Sequence, residues 1–253
     1  MKRLLVTLAL LALLLPCLGG NTLVIRRGAA PAAAWQTPVT DDFERSSESL
    51  DASADWTEAV GDQSVVNNNE ASFGSASGLA VWDSEGATLN ALQCVCVEYN
   101  SDASNFCGPM LRVPALDGTG NSYAARWQQK TNVQVRECVG DSCSDISGGT
   151  WSNAIDEDNW LCACVDGTQA DTEFALWERA SDPSAEDPTD WGTPDFCLCE
   201  SGSCSLWASC DTTGSGEPGS GNYQDCGSGC YFGVYSGSAE ICEFDNFSGR
   251  DYD

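Results

Sequence analysis

The chain contains no histidine. It therefore cannot assemble a Ser-His-Asp or Cys-His nucleophile pair, or any histidine-containing zinc site. General acid–base chemistry would fall to carboxylates. Positive charge is nearly as scarce. Lys2 and Lys130 are the only lysines, and 11 Lys+Arg face 38 Asp+Glu, a net charge of −27 over 253 residues. A phosphate backbone is held by Lys and Arg, so nucleic acid is not an expected partner. Past Leu15 no apolar run approaches the roughly 20 residues that span a bilayer, and no amphipathic helical period emerges.

What is present begins with Lys2 and Arg3, an apolar stretch from Leu4 to Leu15, then Pro16 and the small pair Gly19 and Gly20. Charge, apolar core and small residues in that order predict a secretory signal over residues 1–19 and no span in the mature chain. Cys17 invites a lipoprotein reading, which Pro16 directly before it disfavours. Residues 20–38, rich in Ala and Pro, read as a linker, leaving one domain over 39–253. Removal of Cys17 turns 15 cysteines into 14. An even number behind an export signal is what a disulfide framework requires, and it places the protein outside the cell or on its surface.

From Asp42 onward short alternating segments are separated by Gly, Asn, Asp and Ser clusters, the pattern of an all-β sandwich or barrel. Strands are predicted over 63–67, 79–83, 91–99, 109–114, 122–128, 132–138, 160–165, 173–178, 195–199, 204–208, 230–235 and 240–247. The stretches 181–194 and 211–224 read as polar surface connections. Three segments contain Cys-x-Cys: LQCVCVEY, WLCACVDG and DFCLCESG. Alternate residues of a strand share a face. The apolar partners Val95, Val97, Tyr99, Leu161, Ala163, Val165, Phe196 and Leu198 should therefore face the core, leaving the cysteines on the outer face or rim. Cys-x-Cys also suits soft-metal thiolate sites, but export and the even count favour staples. Tight turns predict Cys138–Cys143 and Cys199–Cys204, and less directly Cys96–Cys107 and Cys226–Cys230.

The order of motifs resembles a known superfamily. DDFERSSESLDASADWTEAVGDQSVVNNNEA is similar to the opening of bacterial and phage domains of the concanavalin A-like (laminin-G-like) lectin/glucanase superfamily, where an Asp-Phe-x-Arg strand precedes a Trp-Thr strand. GPMLRV…NSYAARWQQKTNVQVREC resembles their three-strand meander, and GCYFGVYSGSAEICEFDNFSG their closing strands. The resemblance covers roughly residues 40–251 and implies a two-sheet antiparallel jelly-roll β-sandwich, here stapled by disulfides. It also implies adjacent first and last strands, so that Asp42, Glu44 and Asp245 could share one calcium ion through hard oxygen ligands.

Glucanases of that superfamily carry Glu-x-Asp-x-(x)-Glu on one strand. CEFDNFSG offers Glu243 and Asp245 but no second glutamate, so no retaining pair can be named and no catalytic residue is expected. Among nine tryptophans, Trp56 and Trp127, like Tyr123, read as core, whereas Trp82, Trp151, Trp191 and Trp207 lie nearer turns and are the candidates to stack on a sugar. The leading expectation is a secreted, non-catalytic module binding a glycan or cell-surface polymer. Two alternatives stand beside it: a structural surface or appendage protein making protein contacts, and a glycoside hydrolase with an unrecognised carboxylate pair. Loss of residues 1–19 removes Lys2 and Arg3 but no acid, giving 9 − 38 = −29. A glycan held by such a surface should be neutral, cationic or bridged by a cation.

Overall fold

The structure, a computed structural model, describes residues 34–45, 48–60, 70–73, 78–83, 92–99, 106–128, 131–140, 142–200, 204, 207, 209–214, 216, 218, 226, 229–237 and 242–252. The predicted leader with Cys17, the first part of the linker and the strand expected at 63–67 lie outside these residues. The chain from Ala34 onward is one compact unit.

Two sheets face one another. The eight-stranded sheet contains β1 (Val39–Asp41), β3 (Ala71–Phe73), β5 (Gln93–Tyr99), β10 (Trp160–Asp166), β11 (Glu173–Arg179), β12 (Phe196–Cys199), β13 (Thr212–Thr213) and β15 (Cys242–Asp251). Its order is β1-β15-β5-β10-β11-β12-β13, with β3 also paired to β15. The seven-stranded sheet contains β2 (Trp56–Val60), β4 (Gly78–Trp82), β6 (Phe106–Val113), β7 (Asn121–Gln128), β8 (Asn132–Val139), β9 (Ser142–Trp151) and β14 (Tyr231–Ser236), in the order β2-β4-β14-β6-β7-β8-β9. Pairing is antiparallel throughout except for the short parallel pair β12 and β13. The fold is thus the expected all-β two-sheet sandwich.

The alternation of β5, β10 and β12 does what its sequence requires. Val95, Val97, Tyr99, Leu161, Ala163, Val165, Phe196 and Leu198 enter the core between the sheets, with Trp56, Trp127, Phe232 and Phe244 among the facing side chains. The cysteines take the opposite face. They are not at a solvent-facing rim, however, because a second apolar layer buries them. Cys94, Cys96, Cys162, Cys164, Cys197 and Cys199 cluster with Trp160, Trp177 and Trp191, while Trp35, Trp207, Cys204 and Cys210 pack against the outside.

Seven bridges staple the described residues: Cys94–Cys164, Cys96–Cys162, Cys107–Cys242, Cys138–Cys143, Cys197–Cys210, Cys199–Cys204 and Cys226–Cys230. Such a framework suits an oxidising compartment. The expected Cys96–Cys107 bridge does not form. In the register of β5 and β10, Cys96 stands opposite Cys162 and Cys94 opposite Cys164, so the two Cys-x-Cys motifs pair with each other. Cys107 belongs to the other sheet and reaches Cys242 of β15, joining the layers.

Other departures have physical causes. β9 escaped prediction because it is an edge strand on which only Ile146, Gly149 and Trp151 are buried, so its sequence reads as a polar loop. The strand expected at 204–208 is absent at its described residues, where Cys204 and Trp207 lie in a disulfide-tied loop. The Asp-Phe-x-Arg segment is a turn after β1 rather than a strand, since Phe43 adopts φ 51°. Within the stretch read as linker, Trp35 bridges Tyr252 and Gln36 N–H donates to the Asp251 carbonyl at 2.9 Å.

Candidate functional site

The stretch 181–194 is a covering layer rather than a free polar loop. Pro183, Pro188, Trp191 and Pro194 are buried, and two arginines from the sheet fasten it. Arg250 donates to Asp187 Oδ1 at 2.9 Å and to the Ser184 carbonyl at 2.6 Å. Arg179 donates to the Trp191 carbonyl at 3.0 Å and to Glu186 at 2.6 Å. Asp182 closes the first turn of the layer by accepting from Ser184 N–H at 2.7 Å.

At one margin of this layer a cavity of about 280 Å³ opens to solvent. β1 and the turn after it contribute Thr40, Asp41, Asp42 and Arg45, the approach to β2 contributes Asp55, and the covering layer Asp182 and Ser184. Trp82 of β4, Trp160 of β10, and Asn246 and Phe247 of β15 complete it. Asp41 anchors the wall. Its carboxylate accepts from Trp56 Nε1 at 2.7 Å, from Phe43 N–H at 2.8 Å and from both terminal nitrogens of Arg45 at 2.9 and 3.0 Å. The Trp82 ring packs edge-on against Trp56 at 5.3 Å and lies parallel to Phe247 at 5.8 Å. Trp82 is only 7% exposed, and its indole N–H is shielded without an acceptor among the described residues. A shielded N–H of that kind represents unused hydrogen-bonding capacity.

Beside the cavity, Asn246 Nδ2 donates to Glu98 Oε2. Glu98 pairs in register with Trp160 on one side and Asn246 on the other. Burial pushes the Glu98 carboxyl above the usual carboxylate range; the Asn246 hydrogen bond works against this, while Asp245, Asp158 and Asp182 add to it.

The sequence candidates separate. Trp82 lines this cavity, and Trp207 lines a second, smaller one walled in part by the covering layer. Trp151 belongs to the core between the sheets and Trp191 to the layer over the cysteines, and neither lines either cavity. Asp42, Glu44 and Asp245 are not among the described side chains whose ligand atoms gather within 4.8 Å of one another. β1 and β15 are adjacent as expected. The chain, however, leaves the ladder at the Phe43 turn, where Asp42 accepts from Glu44 N–H at 3.0 Å, and Asp245 falls at a register shift in β15. Among the described residues only Glu173, Cys199 and Cys204 gather within 4.8 Å, and those two sulfurs are bonded to each other. Asp41, Asp55, Trp160, Asp182 and Asn246 were not singled out by sequence, since they come from separate elements and form no motif.

No protein-family model matches the chain, and no curated protein does. Among solved structures, it is similar to the carbohydrate-binding module CBM66 from Bacillus subtilis, at 9% identity, 75% of this chain and 91% of the other, with a TM-score of 0.42. It is also similar to a glycosyl hydrolase family 16 protein from Mycobacterium smegmatis, at 11% identity, 83% and 98% coverage and TM-score 0.44. A third is the apo Crh5 transglycosylase, at 10% identity, 85% coverage of each chain and TM-score 0.35. With scores below 0.5, these similarities do not decide between binding and catalysis.

Proposed function

We propose that the chain is an exported, concanavalin A-like module that binds a glycan in the cavity walled by Asp41, Asp55, Trp82, Trp160, Asp182 and Asn246. The observation that carries this reading is the joining of aromatic walls and hydrogen-bonding groups around about 280 Å³. Small-ligand sites combine apolar surface with a few placed polar groups, and a sugar presents both, C–H faces for rings and hydroxyls for carboxylates. Acceptors predominate here. Asp42, Asp55 and Asp182 bring carboxylates to a site whose one cation among the described residues, Arg45, is already bound to Asp41 and Glu48. A donor-rich polyol or amino sugar suits that balance better than an anionic one. Trp82, whose indole N–H has no acceptor among the described residues, stands in the cavity lining.

The test is a glycan array on the oxidised protein, followed by calorimetry on its hits. Binding to neutral or amino glycans, weakened about tenfold by Trp82→Phe or Asp55→Asn, is the expected result; one good hydrogen bond to a charged group is of that order. Absence of any such binding, or indifference to both substitutions, overturns the reading.

Glu98 supports a second reading, glycoside hydrolysis. A carboxyl raised by burial and like charges beside a cavity has the character of a general acid. Turnover of a glucan that Glu98→Gln abolishes would establish it in place of simple binding.

A further inference from the structure

Seven of the nine tryptophans are buried, and the two partly exposed ones, Trp35 and Trp207, meet across one small cavity. It measures about 130 Å³ and is completed by Pro188, Thr189 and Gly192. It shares no lining residue with the cavity at Trp82. Its walls are held in place before any ligand arrives. Trp35 is pinned by the bridge to Tyr252 and stands edge-on to that ring at 5.1 Å. Trp207 lies between Cys204, bonded to Cys199, and Cys210, bonded to Cys197, and meets Trp177 edge-on at 5.8 Å. Gly192 adopts φ 87° and accepts from Trp177 Nε1 at 3.3 Å. A Cβ built there would meet nothing within 4 Å, so this wall faces open space.

Size and charge narrow the occupant. The cavity is less than half the roughly 300 Å³ at which ordinary small-molecule sites begin, so it takes a compact group and not a whole sugar ring. The sheet arginines that fasten the covering layer are already matched, Arg179 with Glu186 and Arg250 with Asp187. Asp190, exposed and next in the chain to Thr189, gives the lining segment a negative charge, and the chain as a whole carries −27. Indole faces are the strongest aromatic partners for a cation, and aromatic cages select ammonium groups whose methyls shed water easily.

We propose that Trp35, Trp207 and Pro188 form a site for a quaternary or methylated ammonium group. The charge rests against the indole faces and the methyl groups fill the apolar walls. This site is independent of the glycan reading.

Choline and its uncharged analogue 3,3-dimethylbutan-1-ol separate the cation from mere apolar fit. Both are titrated into the oxidised full-length chain at matched salt, followed by tryptophan fluorescence and calorimetry. Choline is expected to bind at least about fivefold more tightly than the alcohol. Trp35→Leu and Trp207→Leu, which keep apolar bulk but remove the ring, should each erase that advantage. Equal affinity for the two compounds overturns the proposal, as does failure to bind choline at millimolar concentration or an advantage that survives both substitutions. Should a leucine variant fail to fold, the comparison on the unaltered protein still decides.

Discussion

The indole N–H of Trp56 donates to Asp41 Oδ2 at 2.7 Å, and this bond joins β2 of one sheet to β1 of the other. The same carboxylate holds Arg45 and the positive-φ turn at Phe43, so one buried side chain sets the entry to the sandwich and a wall of the larger cavity. Asp41→Ala leaves the Trp56 N–H without its acceptor and Arg45 with Glu48 as its remaining partner, at a cost of roughly 2 kcal/mol. Trp56→Phe keeps most of the buried area and should cost less than that. Urea unfolding of the two variants checks the order, and equal small losses would show that the bond contributes little.

Disulfide mapping of a non-reduced digest should find Cys96 joined to Cys162 and Cys107 to Cys242, with none of the 14 bonded cysteines alkylated. A Cys96–Cys107 peptide would contradict the sheet register. The bridges should also differ in weight. Cys107–Cys242 spans 135 residues and Cys138–Cys143 only 5. Chain entropy then predicts about 5 kcal/mol for the first and about 2 for the second. Bridges nested inside the long loop shorten it and reduce its figure. Serine pairs at each bridge, compared by denaturant unfolding, test the ranking.

These particulars show what a sequence can display. LQCVCVEY and WLCACVDG advertise their strands because one face of each meets the core and the other does not. β9 advertises nothing, since an edge strand with three buried positions has the composition of a loop. The outer cysteine face looked open because its cover, Trp35, Trp191 and Trp207, comes from segments far apart in the chain. Local spacing found the bridges that cross tight turns but could not find Cys107–Cys242. The larger cavity was illegible for the same reason. Of its lining, sequence points to Trp82 as a sugar contact and to Asp42 only as a candidate calcium ligand.

Stability should fall as pH rises through the raised Glu98 range. In the unfolded chain Glu98 titrates near its ordinary value of 4.5, and in the folded protein burial lifts it higher. A carboxyl raised on folding contributes stability that is complete below 4.5 and is lost as pH climbs through the folded value. Asp195, also raised by burial, acts in the same direction. Glu98→Gln preserves an acceptor for Asn246 while removing the titration. The variant's stability should therefore decline less steeply with pH just above 4.5 and exceed the parent's at neutrality. Parallel curves for parent and variant would show that Glu98 does not contribute this linkage.

The acid excess sets which glycans can approach. At −27 the chain repels anionic polymers over about 10 Å at ordinary salt, and the larger cavity repeats that bias locally with Asp42, Asp55 and Asp182. Heparin and nucleic acid should therefore fail to bind at low salt, where the repulsion is strongest. A neutral glycan held by Trp82 and Trp160 should keep its affinity as salt rises, because packing and neutral hydrogen bonds are weakly screened. An amino glycan drawn by the carboxylates should lose affinity across the same series. Asp182→Asn should then weaken the amino glycan more than the neutral one, since it removes charge and keeps an acceptor for Ser184. Tight heparin binding at low salt without divalent cations would refute this account of the surface. Equal loss for both ligands on Asp182→Asn would place the carboxylate's role in shaping the covering layer rather than in reading charge.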